Sequence, residues 1–505
     1  MSYSPSYFGG SGVSVPKAAN DTVTLEEVVR GLPNLYGPVT EGNNSANPPV
    51  GWRIGVKPFA LTMALHEDFL RLGPVLWQVQ WAWQQLYLDS FHGKRGIPPW
   101  VARWLNQGKP ESVIQLATQK RFKNSVPLVL RPDILLTDPC ADDGGWALTE
   151  LDSVPGGLGF TAALQHAYQH AGFAVLESTQ GFIDDFWQLL EGAHQQQRKQ
   201  SDPLRVVAIV VSEESNDYRR ELTWLAEQLQ QTGHACWVVH PKQLSLHGEA
   251  LCATLDNGEQ MTIDLVYRFF ELFDLPNIPN WPLVQFAAQK GWVALTPPPK
   301  PYLEEKLWWA LWHHPVLKPH WEGLLGKETV EWLTPHIPQS WVMDPAPLPP
   351  SAIIPNLRVG GHAVQSWDAL AAATQKERQL VLKPSGFSPL AWGSRGVVMG
   401  HDVPSTEWAE ALTRAQNDFS HTPWVLQQFH KPAKHTVMEY DPMSPLLRPL
   451  EARTRLCPYY FASPDSDTPS QATLTLAGIL ATHCPADKKI IHGMRDGLMV
   501  PCALP

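Results

Sequence analysis

Apolar positions from Leu61 to Leu88 recur at three- and four-residue spacing, with Trp77, Trp81 and Trp83 in the later turns. This predicts one long helix, followed by a second helical piece beginning over Pro99 to Leu105. Tryptophans at such spacing belong more often to a core than to a ligand box. Leu128 to Thr137 and Trp146 to Leu151 read as two strands joined by the turn-rich run Asp138-Pro-Cys-Ala-Asp-Asp-Gly-Gly145, the pattern of a hairpin. A helix over about Phe160 to Ala171 follows Gly156-Gly157.

Leu204 to Val211 is continuously apolar, as suits a buried parallel strand. With a helix through Tyr218 to Gln231 and a strand over Ala235 to Val239, it forms a βαβ unit. Ile263 to Phe269 adds a strand and Trp281 to Lys290 a helix, and Pro297-Pro-Pro299 with Pro301 marks a boundary. Beyond it, Leu303 to Trp312 is predicted helical. A Pro-rich break spans Pro345 to Pro355, and Gln379 to Lys383 is a short strand entering a Gly-containing loop. A helix over Thr406 to Asn417 leads to a strand over Trp424 to Phe429. The tail from Leu450 to Val500 reads as strands and turns with a helix near Thr473 to Ala481. The first 55 residues are rich in Gly, Pro, Ser and Asn and read as an arm with one short helix near Leu25 to Gly31.

Composition narrows the classes. The 505 residues suffice for two to four domains, and 44% apolar against 17% charged residues excludes a disordered charged tail. A net charge of -10 without long single-sign runs argues against nucleic acid as a partner. The six cysteines contain no Cys-x-x-Cys pair, which fits a reducing compartment rather than a disulfide frame. No leader and no run of 18 or more apolar residues is found, so a cytoplasmic protein without a membrane partner is expected.

Two clusters carry candidate chemistry. Arg131 and Asp133 are two apart on one predicted strand, as are Glu150 and Asp152 on the other, so each pair projects to one face. Carboxylates of this kind suit Mg²⁺ with a nucleotide, and an Arg there meets phosphate or carboxylate; an ordinary salt-bridged hairpin is the alternative. Lys383 ends an apolar strand ahead of Ser385-Gly386 and Gly393-Ser-Arg-Gly396, a loop whose amides suit phosphates, although the Walker order is absent. Gln427 and Gln428 on the following strand suit a purine. His313-His314 are adjacent, do not face one another on a helix, and make a poor zinc pair. No hydrolase, metalloprotease or deaminase motif is present.

The order of these pieces resembles the synthetase half of the glutathionylspermidine synthase family over about residues 60 to 505. The resemblance rests on Gly96-Ile-Pro-Pro-Trp100, Arg131-Pro-Asp133, Glu150-Leu-Asp-Ser-Val-Pro-Gly-Gly157 and Val266-Tyr-Arg-Phe-Phe-Glu-Leu-Phe273. Glu305-Lys-Leu-Trp-Trp-Ala-Leu-Trp-His-His-Pro315, Lys383-Pro with Gly393-Ser-Arg-Gly396, and Gly493-Met-Arg-Asp496 complete it. It implies a mixed α/β, ATP-grasp-like fold with a βαβ pre-ATP-grasp domain and an N-terminal helical region. The domains expected are an arm at 1–55, a helical region with the acidic hairpin at 56–200, an α/β domain at 201–300 and a nucleotide-binding region at 301–505.

The resemblance also implies an ATP-dependent carboxylate-amine ligase working through an acyl phosphate, with ATP and Mg²⁺. Asp133, Glu150 and Asp152 would hold the metal. Lys306, Lys383, Gly393, Ser394, Arg395, Gly396, Gln427 and Gln428 would hold the nucleotide, and Arg131 and Arg495 the reacting phosphoryl or carboxylate. The partners would be a small-molecule or peptide carboxylate and an amine, a polyamine among the candidates. The chain departs from the family pattern in Asp152 for Asn, in Val154-Pro-Gly-Gly157, and in a longer Gly loop without an acid. Those departures motivate the alternative of a non-catalytic nucleotide-binding or interaction protein.

Overall fold

The computed structural model describes residues 52–138, 145–198, 202–441, 444–465, 467–488, 491 and 497–504. The predicted helix near Leu25 to Gly31, the middle of the hairpin turn and Arg495 lie outside them. The described chain opens with strand β1 (Trp52–Gly55), inside the segment expected to be an arm. Helix α1 (Met63–Phe91) is capped by Thr62, whose Oγ1 accepts from Leu65 N at 3.2 Å, and runs through Pro74. Gly73 lets it pass Tyr460: a Cβ there would lie 2.6 Å from that ring. The α1 tryptophans are core: Trp77 and Trp83 are buried, and Trp83 stacks on Trp308 at 5.1 Å.

The predicted hairpin is β2 (Val129–Leu136) and β3 (Trp146–Asp152). Helix α2 (Leu158–His170) follows, then α3 (Phe182–Arg198), which the sequence reading passed over. Its signal was Phe182, Phe186, Leu189, Leu190 and Ala193 at helical spacing, all buried. Strand β4 (Val206–Val211), helix α4 (Arg219–Gln231), β5 (Ala235–Val239), β6 (Leu265–Phe269) and β7 (Ala294–Thr296) make the expected parallel unit. Their sheet has the order β7-β6-β4-β5 and is parallel throughout. Its continuous apolar strands follow from burial on both faces.

Leu303 to Trp312 is not one helix. A 3-10 turn at Pro301–Leu303 precedes α5 (Trp308–Trp312), and between them Glu304 is bound to Arg268 and Glu305 to Lys109. Strands β8 (Ser340–Val342), β9 (Leu380–Pro384) and β10 (Val398–Met399), helix α6 (Ser405–Asn417) and β11 (Trp424–Gln428) form the next layer. The sheet is antiparallel, ordered β8-β11-β9-β10, with Trp408 and Leu412 of α6 packed into a core with Leu382, Trp424 and Leu426.

The tail is β12 (Lys434–Asp441), β13 (Ser444–Pro464), β14 (Ala472–Pro485) and β15 (Gly497–Ala503). The helix expected near Thr473 to Ala481 is therefore strand β14, paired with β13 along its length. Thr473 and Thr475 alternate with Leu474 and Leu476, but Ala477 to Cys484 are all buried, and such a run carries no period to separate strand from helix. The tail strands join the hairpin in one sheet ordered β12-β1-β15-β14-β13-β2-β3, and β12 also pairs with β13. This sheet sets β13 against the acidic hairpin. No described helix is long and apolar enough to cross a membrane. Cys236, Cys252, Cys457, Cys484 and Cys502 are buried.

Candidate functional site

The antiparallel register sets Asp152 opposite Arg131 and Glu150 opposite Asp133, so the alternation read from sequence converges on one face. That face is the floor of a cleft of about 1280 Å³, lined by Arg131, Asp133, Glu150, Asp152, Lys306 and Gly393 of the expected residues. Its far wall brings Tyr218, Glu271, Glu304, Trp309 and Gly386. A second cleft of about 760 Å³ opens between the hairpin and the β9–β11 pair, and contains Lys383, Gln427 and Gln428 with Val381, Met399, Phe429 and Ile491. The two clefts share Asp133, Thr149, Glu150, Lys306 and Arg455.

Every carboxylate at this floor is paired. Arg131 Nη2 lies 2.7 Å from Asp152 Oδ2 and 3.2 Å from Asp133 Oδ1. Arg455 Nη1 lies 2.8 Å from Asp133 Oδ2, and Lys306 Nζ 2.9 Å from Glu150 Oε1. Burial pushes the Asp133 carboxyl up, but Arg455 and Arg131 outweigh it and bring it down to about 2. Burial likewise opposes ionisation of Glu150, and Lys306 and Lys383 overcome it, leaving it below the ordinary carboxylate value. At Asp152 burial wins over Arg131 and the carboxyl is raised.

Lys383 Nζ donates to Gln427 Oε1 at 2.8 Å, and Gln427 Nε2 donates to Ser340 Oγ at 3.2 Å, so three adjacent strands hold the lysine. Burial lowers its ammonium to about 8 despite Glu150. The loop after it is anchored elsewhere: Ser385 Oγ donates to Glu305 Oε1 at 2.5 Å and Gly386 N to Oε2 at 3.3 Å. Gly386 is required there, because a Cβ would lie 1.9 Å from the Glu304 carbonyl oxygen. Gly396 N closes the loop on Leu390 O at 2.8 Å. Arg395 is half-exposed and pairs with Glu214 at 2.8 Å, outside the residues lining either cleft. Only the backbone of Ser394 is described, and it falls in the 3-10 turn Pro389–Ser394. His313 and His314 diverge, His313 to the Ile337 carbonyl at 3.0 Å and His314 onto the Trp100 ring at 4.5 Å.

Mg²⁺ takes oxygen ligands and, with a nucleotide, usually one or two carboxylates plus phosphate oxygens. Among the described residues no three His, Cys, Asp or Glu side chains converge as a metal cage. Asp133, expected in the metal set, has Oδ2 on Arg455 and Oδ1 accepting from Cys457 Sγ at 3.4 Å and facing Arg131. Glu150 and Asp152 both line the larger cleft as hard oxygen donors, and this pair fits a nucleotide-borne Mg²⁺.

The residues missed from sequence are chiefly Arg455, Thr149, Glu271 and Glu304. Arg455 had one signal, the alternation Arg453-Thr-Arg455 entering an apolar strand, but its partner Asp133 is 322 positions away.

No family model matches the chain, and no curated protein matches its sequence. Among solved structures it is similar to a glutathione synthetase-like effector of Globodera pallida in its apo form, with a TM-score of 0.54 at 12% identity over 96% of each chain. A protein of Methylobacillus flagellatus KT that carries the name of a gamma-glutamylcysteine synthetase aligns with a TM-score of 0.38 at 11% identity, over 83% of this chain and 86% of that one. The fold is thus mixed α/β, of the ATP-grasp, glutathione synthetase-like type.

Proposed function

We propose that the protein is an ATP-dependent carboxylate-amine ligase. One observation carries this reading: a cleft holding the half-buried Lys383 shares a charged wall with a second cleft lined by arginines and carboxylates. Lys383, Gln427 and Gln428 hold ATP in the smaller cleft, with Lys306 at the wall. Mg²⁺ bound by Glu150 and Asp152 would neutralise charge on the phosphates. Arg131 binds the substrate carboxylate, with Arg495 as its expected companion.

A carboxylate oxygen attacks the γ-phosphorus, forming an O–P bond. The bond from phosphorus to the bridging oxygen breaks, and its electron pair leaves with ADP. The amine nitrogen then attacks the acyl carbon, the C–O bond to phosphate breaks, and the nitrogen loses one proton. No side-chain nucleophile enters, so the protein's work is positioning and charge neutralisation. The amine, a polyamine among the candidates, enters the larger cleft beside Glu271. The finer resemblance to glutathionylspermidine synthetase stays part of this proposal.

The test is ADP release with panels of amino-acid and peptide carboxylates and of amines. Glu150→Gln should lower turnover by about a hundredfold or more. Equal release from wild type and Glu150→Gln would sink the mechanism. A second reading has its own motive in the ion pairs that already satisfy the floor carboxylates and in the absence of any acid from 385–396. A non-catalytic nucleotide-binding protein would bind ATP and release no ADP with any pair from the panels.

A further inference from the structure

We propose that Arg455 is the guanidinium that holds the phosphoryl group in transit between the two clefts. The inference rests on the ligase reading above. Of the cations at the floor, Arg131 lines only the larger cleft and Lys383 only the smaller one, whereas Arg455 and Lys306 line both. Lys306 is held by Glu150 at 2.9 Å and by the Ala391 carbonyl at 3.4 Å. Arg455 donates from Nη1 to Asp133, and its Nε, like that of Arg131, is buried with no hydrogen-bond partner among the described residues, so what sets Arg455 apart is that it lines both clefts.

A guanidinium has five donors, and the Asp133 carboxylate takes only one from Arg455, which leaves donors for a phosphoryl oxygen at the wall shared by the two clefts. The fork geometry matches a phosphoryl group better than an ammonium does. Asp133 supplies the aim. Its carboxylate stands between Arg131 at 3.2 Å and Arg455 at 2.8 Å and holds the two guanidiniums on the floor together. The strands fix this arrangement, since Arg455 on β13 is in register with Leu135 on β2, two residues beyond Asp133. Arg131, which also contacts Asp152 and the Gly156 carbonyl, meets the carboxylate of the acceptor. Arg455 meets the group that moves. As the phosphoryl passes from the bridging oxygen to the carboxylate oxygen, no proton moves and charge on its equatorial oxygens must be matched, which a fixed guanidinium does without rearrangement.

The experiment compares the affinity of the full chain for Mg·ADP with that for Mg·ADP plus aluminium fluoride, a stand-in for the phosphoryl in flight, by calorimetric titration. In wild type the fluoride should tighten binding by about tenfold or more. Arg455→Lys should keep only part of that gain and Arg455→Gln, combined with Asp133→Asn to balance charge, none. Both should bind ADP alone within about twofold of wild type, with thermal unfolding as the check on folding. Full retention of the gain in either variant overturns the role of Arg455. A wild type that binds no ADP, or that binds it and gains nothing from fluoride, fails the ligase reading instead.

Discussion

Lys306 Nζ lies 2.9 Å from Glu150 Oε1, tying the segment just ahead of α5 to the middle of β3. The pairing is reciprocal. Burial lowers the ammonium and raises the carboxyl, and in each case the partner overcomes burial, so both are charged near neutral pH. A nucleotide phosphate reaching Lys306 therefore competes with Glu150, and a cation bound by Glu150 competes with Lys306. The floor is preloaded with the charges that its ligands would exchange.

Lys383 is the first place to test the nucleotide cleft. Wild type with Mg²⁺ and a non-hydrolysable ATP analogue at about a hundred times the dissociation constant should be stabilised by about 2.7 kcal/mol, a shift of roughly a degree or two. Lys383→Ala should lose that shift. Because burial brings the ammonium down to about 8, analogue affinity in wild type should be flat below pH 8 and fall above it by up to about tenfold per unit as the charge is lost. Affinity that is level from pH 7 to 9.5 would contradict this.

Glu221 gives a stability prediction with a defined sign. Its carboxylate accepts from Gly157 N at 2.6 Å and Phe160 N at 2.8 Å at the start of α2, yet burial outweighs those bonds and raises it to about 7. Between about pH 4.5 and 7 the folded state then holds a proton that the unfolded chain has lost, so stability falls as pH rises through that window. The loss from this one group is on the order of 3 kcal/mol. Urea unfolding at pH 5 and pH 7.5 should show it in wild type and show a smaller difference in Glu221→Gln. Identical pH differences in the two proteins would rule it out.

Two glycines with opposite surroundings test the packing of the helices. A Cβ on Gly159 would lie 2.0 Å from the Glu221 carbonyl oxygen, where α2 and α4 cross. Gly159→Ala should destabilise by at least about 1–3 kcal/mol, since backbone has to move. Gly192, inside α3 with nothing within 4 Å of its would-be Cβ, should gain about 0.5–1 kcal/mol on Gly192→Ala. Thermal midpoints moving the same way in both variants would refute the assignment.

Lys109 and Glu305 form an ion pair with both side chains buried, and Glu305 also receives Ser385 Oγ and Gly386 N. Lys109→Met should cost about 3–5 kcal/mol by leaving that carboxylate without its cation. Adding Glu305→Gln should recover part of the loss. A double variant whose loss equals or exceeds the sum of the two single losses would argue against a direct coupling.

The sequence by itself determined what depends on near neighbours. The short run Val206–Val211 reads as a strand buried on both faces because it is rich in β-branched residues, and the two-residue spacings Arg131/Asp133 and Glu150/Asp152 present each pair to one side of a strand. Lys383 at a strand end ahead of glycines was legible for the same reason. Local pattern failed where it carries no period, as in Ala477–Cys484, and missed α3, whose helical spacing was present.

Only the tertiary structure decided which charges meet. Strand order in the large sheet puts β13 beside β2, and that neighbourhood brings Arg455 to Asp133 across 322 positions. Packing of other segments joins Lys306 to Glu150 and pairs Arg395 with Glu214. Ion pairing acts over a few ångströms of space and is indifferent to distance along the chain. The residue types at the site could therefore be listed from sequence, while their partners could be read only once the sheet had been assembled.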